Sequence, residues 1–130
     1  ALDSIFGGVI MSWIDIAAAI SAQRHCSMPV VTASIDALSF VAPVYKGWIV
    51  NIKASVNYVS KTSMEVGVRV DAENPIQKKV FHTASAYLTF VALGPDGKPA
   101  SVPPLKTETP EQVRRCKAGE RRRQLRLQHR

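Results

Sequence analysis

The stretch from residue 9 to about residue 25 constrains the fold of this chain more than any other. It contains Ala17, Ala18 and Ala19 at its centre and neither proline nor glycine, and Pro29 follows shortly after it. These features predict a helix that ends before the proline. Because apolar residues lie on nearly every face of that helix, we expect other structure, such as a curved sheet, to cover it on several sides.

Beyond the helix, the apolar residues change from helical spacing to alternation, which predicts strands. Two long half-buried strands are predicted at residues 48–59 and 64–71, joined by a tight turn, with two more at 30–38 and 80–93. The last strand ends at the turn sequence Gly94-Pro95-Asp96-Gly97. One buried helix followed by about four mostly antiparallel strands is an α+β plan.

Basic residues concentrate at the C-terminal end of the 130-residue chain. Residues 111–130 hold eight Lys or Arg against two Glu, which accounts for most of the net charge of +7. Prolines exclude regular structure from Pro99 to Pro110, so we expect a folded domain at 1–110 and a basic helix or disordered tail at 111–130. Since the charge belongs to this segment, it is weak evidence for nucleic-acid binding, which we do not expect.

The cysteine and hydropathy patterns exclude several classes of protein. Cys26 and Cys116 have no metal-ligand spacing to each other or to the three histidines, so we expect no metal site and free thiols in a reducing compartment. The longest apolar stretch is interrupted by Ser12 and Asp15 and is shorter than the ~20 residues that span a bilayer. The chain does not open with a secretory pattern, so we expect a cytoplasmic protein without a membrane span.

Asp15 is the most unusual residue of the predicted helix. Its neighbours on both sides, from Trp13 to Ala17, are apolar. Burying an unpaired carboxylate is costly, and aspartate is a poor residue for the middle of a helix. A functional role is the favoured interpretation, against the alternative of an aspartate that bonds to neighbouring backbone or faces a wet groove.

Phe6-Gly7-Gly8 stands at the start of the same helix, where backbone N–H groups can stabilise a developing oxyanion. A glycine pair at a helix start is by itself more often a turn. Asp15 lies seven residues beyond Gly8, about 10 Å along the helix axis, too far for both to act on one carbonyl group. If the helices of two copies run antiparallel, Asp15 of one approaches Gly7 and Gly8 of the other, so we predict a site across an obligate dimer.

Four ordered blocks of sequence resemble one known family. They are FGGxxMSWIDIAA at 6–18, VTASID at 31–36, KTSMEV at 61–66 and TFVA at 89–92. Together they resemble the hotdog-fold acyl-CoA thioester hydrolases, most closely the group that contains the brain-type cytosolic acyl-CoA hydrolase and its single-domain bacterial relatives. The resemblance implies a hotdog fold, a long central helix wrapped by a curved antiparallel sheet, in homodimers that often assemble to hexamers.

The resemblance also implies an enzyme that hydrolyses fatty acyl-CoA to free fatty acid and CoA, with no cofactor and no metal. In the family motif Asp15 is the catalytic carboxylate, either as general base for water or as a nucleophile that forms a mixed anhydride. Gly7 and Gly8 would polarise the thioester carbonyl, with Phe6 and Ser12 among the substrate contacts.

The hairpin Lys61-Thr62-Ser63-Met64 resembles the segment that lines the CoA groove in this family. A lysine and two hydroxyls suit phosphate oxygens and pantetheine amides, and they equally suit an ordinary polar turn. The acyl chain length is not assigned by any residue of the sequence.

The sequence departs from the family pattern before Phe6. Members usually carry an asparagine and a glycine in the preceding loop, and the asparagine assists the opposing aspartate. Asp3 stands at about the place of that glycine, and the asparagine matches no residue of this sequence. The departure leaves two interpretations open. Either the asparagine belongs to residues upstream of this sequence, or the site is altered, and with it a non-catalytic hotdog module that binds acyl-CoA or nucleic acid stays an alternative.

Other candidate residues receive structural interpretations. His25 is expected to cap the end of the helix as a cation, and His82 to be a packed or partly exposed strand residue, which argues against a histidine-dependent hotdog dehydratase. Tyr58 fits a core position and Glu65 a solvated face, with a smaller chance of substrate contact. The run Arg121–Arg123 is typical of a solvated tail, or of a contact with the CoA phosphates of a neighbouring subunit.

Overall fold

Two helices and four strands make up the fold, which a computed structural model describes for residues 4–128. In chain order they are α1 (Gly7–Cys26), β1 (Val30–Phe40), β2 (Ile49–Val59), β3 (Ser63–Asn74), β4 (Lys79–Ala92) and α2 (Pro110–Gln128). The strands form one antiparallel sheet in the order β1-β4-β3-β2. This long helix against a curved antiparallel sheet confirms the predicted α+β fold.

The core lies between α1 and the inner face of the sheet. A helix repeats a face about every fourth residue and a strand every second residue, and the buried positions follow those two spacings. They include Ile10, Ile14, Ala18 and Ala22 of α1, Met64, Val66, Val68 and Val70 of β3, and Ala84, Ala86, Leu88 and Phe90 of β4. Burial of each large side chain in this set contributes roughly 1.5–3 kcal/mol to stability.

A second apolar face of α1 stays exposed in the single chain, and we call it the α1 apolar face. Its residues, with those of the adjoining edge strand β1, are Phe6, Val9, Met11, Ile16, Ile20, Val31 and Phe40. Ile16, for example, is 59% exposed. The sheet therefore covers α1 on one side, not on several sides as predicted. Helical spacing places Val9, Ile16 and Ile20 on the same uncovered side, and exposed apolar side chains grouped in this way indicate an interaction site.

A bulge in β2 makes the prediction for Tyr58 wrong. The pairing of β2 with β3 shifts between Val56 and Tyr58. Because the extra residue reverses the alternation of faces, Val59 packs on the core while Tyr58 faces α2 on the outer side of the sheet.

Helix α2 packs on the outer face of the sheet, opposite α1. Arg122 donates two hydrogen bonds to the Glu65 carboxylate, and Glu65 is only 2% exposed. The Arg122 guanidinium also lies 3.6 Å from the centre of the Tyr87 ring. The predictions of a solvated Glu65 and a solvated Arg122 are wrong, because the two opposite charges bury each other as α2 docks. Arg121 is exposed, as predicted for the run.

The irregular segment between β4 and α2 is tied to the rest of the chain. Val102 N–H donates to the Lys61 carbonyl at 2.9 Å, and His25 Nε2 donates to the Pro103 carbonyl at 2.8 Å. The prediction that His25 caps α1 is therefore wrong. Ser27, in the left-handed conformation, ends the helix instead, and its N–H donates to a carbonyl of the last turn.

Cys26 and Cys116 are both free thiols. Neither α1 nor α2 carries an apolar run of the length that a bilayer demands. Across residues 4–128, the His, Cys, Asp and Glu side chains form no group of three or more that suits a metal ion.

Candidate active site

The carboxylate of Asp15 is held by the edge strand of the sheet. Thr32 Oγ1 on β1 donates a 2.8 Å hydrogen bond to Asp15 Oδ1 on α1. Asp15 is half-buried. The prediction that apolar residues enclose it is wrong for the single chain, because no other element covers the side of α1 that carries Asp15. The contact orients one carboxylate oxygen, and a carboxylate has a second oxygen that can accept a proton.

Thr32 is the site residue that the sequence analysis missed. The pairing of β1 with β4 shifts between Thr32 and Ser34, and such irregularities re-aim side chains. A threonine is a common strand residue, so its presence in β1 gives no signal of its own. Its partner lies 17 residues away on a different element, and only the fold brings the two together.

The start of α1 presents backbone donors without a side-chain cap. Phe6 precedes the helix in an extended conformation, and no side chain of residues 4–128 caps it. In the first turn of a helix the backbone N–H groups point out of the positive end of the helix, and in α1 these groups belong to Gly7 and Gly8. The Phe6 ring lies over Gly8, where an added Cβ would stand 2.8 Å from it. Ser12, exposed, donates to the Val9 carbonyl at 2.7 Å.

The hairpin between β2 and β3 separates into an accessible and a buried part. Lys61 is exposed, and Thr62 and Ser63 are half-buried. The Thr62 carbonyl accepts a 3.0 Å hydrogen bond from the Ala92 N–H, which fixes the hairpin against the end of β4. Met64 is 1% exposed and packs in the core, so the expectation that its side chain contacts substrate is corrected.

One copy of the chain does not bring all the predicted groups together. Asp15 and the Gly7-Gly8 pair lie on the same helix, and their meeting across two antiparallel helices stays a prediction. Asp3, which stands at about the place of the family's loop glycine, lies outside the described residues.

An apolar cavity of about 360 Å³ opens beside the start of α1. Gly7 lies in its wall, and the Phe40 ring stands 3.8 Å from the position of a Cβ added there. The other lining residues include Ile5, Ile10, Val41, Pro43 and Val44. The sequence analysis did not identify this cavity, because two segments that are distant in the sequence, residues 5–10 and 40–44, form it.

Comparison with known proteins gives a consistent result. Residues 2–78, more than half of the chain, match the family model of the thioesterase superfamily. The rat cytosolic acyl coenzyme A thioester hydrolase is 39% identical over 120 residues, which are 91% of this chain and 32% of that protein. The chain therefore spans about a third of the length of that relative.

Solved structures match over nearly the whole chain. An apo-hexameric acyl-CoA thioesterase superposes with a TM-score of 0.93 at 35% identity, covering 98% of this chain and 82% of that one. The acyl-CoA hydrolase of Staphylococcus aureus, solved with butyryl coenzyme A, coenzyme A and coenzyme A disulfide, superposes with a TM-score of 0.85 at 36% identity, covering 98% and 80%. These neighbours confirm the predicted hotdog fold.

Proposed function

This chain belongs to the thioesterase superfamily, and we propose that it hydrolyses fatty acyl-CoA to a free fatty acid and CoA. The observation that carries the proposal is the Asp15 carboxylate, which Thr32 orients on the central helix. Its Staphylococcus aureus neighbour was solved with coenzyme A and an acyl-CoA, which supports the same substrate class here. A non-catalytic binding module would not need an oriented carboxylate on this helix.

Asp15 acts in this proposal as the general base. Its free oxygen accepts a proton from water while the water oxygen attacks the thioester carbonyl carbon. The tetrahedral intermediate places negative charge on the former carbonyl oxygen, which backbone N–H groups stabilise. Collapse of the intermediate breaks the C–S bond, and Asp15 returns the proton to the departing CoA sulfur. The cycle consumes one water and needs no cofactor or metal.

The N–H groups in this scheme are those of Gly7 and Gly8 of a second copy. The α1 apolar face supports the pairing, since burying it against an identical face removes exposed Ile16 and Ile20 from water. Pairing also covers the half-exposed side of Asp15. The hexameric thioesterase that superposes on this chain supports further assembly of such dimers to a hexamer.

The substrate is divided between two regions of the surface in this proposal. The apolar cavity beside Gly7 receives the first carbons of the acyl chain. Phe6 and Ser12, both exposed, are further substrate contacts in this proposal. Lys61, Thr62 and Ser63 contact the CoA moiety, since an ammonium and hydroxyls pair with phosphate oxygens. Free thiols at Cys26 and Cys116, and a relative named cytosolic, support a cytoplasmic location.

The primary test is hydrolysis by an Asp15→Asn variant. Thiol release from short, medium and long acyl-CoAs is measured for the wild type, for Asp15→Asn, and for the control Asp71→Asn, whose carboxylate pairs with Arg69 on the outer part of the sheet. We expect Asp15→Asn to lose at least roughly 100-fold in kcat, the scale of a general base. A folded Asp15→Asn protein with wild-type kcat would refute the proposal.

A mixing experiment tests the sharing of the site between two copies. Asp15→Asn removes the base, and Gly7→Pro removes one N–H donor at the first residue of α1, where proline is tolerated and an added Cβ meets only the Phe40 ring at 3.8 Å. Neither variant alone should hydrolyse acyl-CoA efficiently. Coexpressed, they form mixed dimers in which one site has an intact Asp15 and an intact Gly7, so activity should return. Mixed dimers without activity would exclude a shared site.

A further inference from the structure

The end of the sheet where β3 turns into β4 exposes apolar side chains that the proposed reaction does not use. Three strands meet at this end, since Ile49 of β2 pairs with Glu73 of β3, and Glu73 pairs with Val80 of β4. We call it the β3–β4 tip, and its exposed apolar residues are Ile49, Ile76, Val80 and Phe81. Ile76, 89% exposed, is the most exposed large apolar residue within residues 4–128. One exposed apolar residue is ordinary, but a group of four at one end of a sheet indicates an interaction surface.

The turn at the tip holds Ile76 outward. Asn74 Oδ1 accepts hydrogen bonds from the backbone N–H groups of Ile76 and Gln77, at 3.1 and 3.3 Å. Pro75 restricts the backbone of the same turn, and Lys78 takes the left-handed conformation with φ 57°. These contacts fix the backbone without covering the Ile76 side chain. A partner that binds Ile76 therefore meets a turn that is already ordered, which lowers the entropic cost of binding.

Aromatic rings lie next to the exposed aliphatic side chains. The Trp48 ring stacks on the Phe81 ring with 5.4 Å between their centres, and the Tyr45 ring meets Trp48 edge-on at 5.1 Å. Trp48 and Tyr45 are half-buried. Tryptophan and tyrosine are enriched at the boundary between water and lipid, because each ring has an apolar body and a polar atom. The β3–β4 tip therefore has the composition of a surface that meets such a boundary.

The charged residues of the tip are mostly lysines. Lys78 and Lys79 lie at the turn, Lys46 lies in the loop that leads into β2, and all three are exposed. None of the three forms an ion pair with another residue in the described part of the chain. Glu73, half-buried, is the acidic residue beside them. A lysine can lay its methylene chain along an apolar surface while its ammonium group reaches a phosphate.

We propose that the β3–β4 tip docks on an anionic lipid surface. Ile76 enters the boundary between the head groups and the acyl chains, and the lysines contact the lipid phosphates. An anionic bilayer matches both features, since it offers negative charge at its surface and hydrocarbon beneath. A second copy docked through the same tip would bring like charges together, which is unfavourable. The docking does not involve Asp15 and goes beyond the proposed hydrolysis.

Cosedimentation of the full chain with vesicles tests the docking without measuring hydrolysis. The vesicles contain phosphatidylcholine alone, or phosphatidylcholine with about one-third phosphatidylserine. Ile76→Ser removes the entering side chain, and the double variant Lys78→Gln/Lys79→Gln removes two charges. The matched controls are Leu125→Ser, at a 48% exposed position on α2, and Lys98→Gln, in the turn at the opposite end of β4. Urea unfolding of each variant checks that the fold is retained.

We expect the wild type to bind vesicles with phosphatidylserine at least roughly tenfold more tightly than vesicles without it. Ile76→Ser should weaken binding at least roughly tenfold, the effect of one large apolar side chain withheld from hydrocarbon. The double lysine variant should weaken it roughly 25-fold, about fivefold for each charge. Both controls should stay within about twofold, and raising the salt from about 0.1 M to about 0.5 M should weaken wild-type binding.

A fluorescence experiment tests which residue enters the lipid. Ile76→Trp and Leu125→Trp each place a tryptophan at an exposed apolar position. Phosphatidylserine vesicles that carry a nitroxide quencher on their acyl chains should quench the added fluorescence of Ile76→Trp. The added fluorescence of Leu125→Trp should be unaffected, because α2 stays in water. Equal quenching of the two would contradict docking through the tip.

Four further results would overturn the proposal. They are no binding at millimolar lipid, equal binding to the two kinds of vesicle, equal weakening by Leu125→Ser and Ile76→Ser, and a lower sedimentation mass of Ile76→Ser without lipid. The last result would identify a second copy as the partner of the tip. Asp15→Asn should bind vesicles like the wild type, so the docking and the proposed hydrolysis fail independently.

Discussion

Arg122 donates to both oxygens of the Glu65 carboxylate, from Nε to Oε2 at 2.9 Å and from Nη2 to Oε1 at 2.6 Å. This two-point contact joins α2 to the centre of β3. Hydrogen bonding to Glu65 raises the pKa of the Arg122 guanidinium above its ordinary value, against the opposing effect of burial. Arg126, 3.9 Å from Glu65 and 3.3 Å from Asp36, adds a second positive charge beside the same carboxylate.

Removing one partner of this pair should destabilise the protein strongly. Arg122→Gln leaves a nearly fully buried Glu65 with only the 3.5 Å hydrogen bond from Asn57 Nδ2 and the Arg126 guanidinium at 3.9 Å, and we expect a loss of about 3 kcal/mol in the free energy of unfolding. Arg114→Gln removes an exposed arginine of the same helix, and it should change the free energy of unfolding by less than about 0.5 kcal/mol. Urea unfolding measures both variants.

The double variant Glu65→Gln/Arg122→Gln separates an ion pair from general damage. If the two charges stabilise each other, the double variant should be more stable than the sum of the single changes predicts. Additive effects would indicate that Glu65 and Arg122 contribute independently and that the contact does not hold α2.

Deleting α2 should therefore do more than remove a basic tail. Truncation after Thr109 exposes Glu65, Tyr58 and Tyr87 together, and we expect a lower thermal midpoint. Hydrolysis at a temperature where the truncated chain stays folded should persist, because Asp15 lies on the opposite face of the sheet. A truncated chain with an unchanged thermal midpoint would contradict the docking of α2.

The fold was predictable from sequence to the extent that local patterns determine it. The alternation of apolar residues identified all four strands, and the alanine-rich stretch before Pro29 identified α1. Glu65 was misassigned because its burial depends on Arg122, 57 residues later. The sequence pattern of a strand does not show whether a helix packs over its polar face. Tyr58 was misassigned because a single bulge reverses the facing of the residues that follow it.

The candidate site shows the same division between local and long-range information. Asp15 stands out in the sequence because a carboxylate interrupts an apolar helix. Thr32 does not stand out, because its role depends entirely on the packing of β1 beside α1.

The hydrogen bond from Thr32 to Asp15 should matter for turnover more than for substrate binding. Thr32→Val keeps the shape of the side chain and removes the donor, so the carboxylate loses its fixed orientation. We expect kcat to fall roughly tenfold, equivalent to about 1.4 kcal/mol, with KM nearly unchanged. Thr32→Ser retains the hydroxyl and should restore most of the turnover, which a purely packing role for the threonine methyl group would not allow.

A charge placed in the α1 apolar face should both dissociate the proposed dimer and abolish hydrolysis. Ile16→Glu puts a carboxylate at a position that is 59% exposed in the single chain and that the proposed pairing would bury, where an unpaired charge costs several kcal/mol. Ile76→Glu is the matched control, because Ile76 is 89% exposed in the turn between β3 and β4. Sedimentation analysis should find Ile16→Glu as a folded single chain with acyl-CoA turnover reduced at least roughly 100-fold, the scale of a lost oxyanion donor. Ile76→Glu should keep the wild-type mass and activity. A single-chain Ile16→Glu protein that hydrolyses acyl-CoA normally would mean that Asp15 needs no second copy, and the glycine amides would then have no place in the reaction.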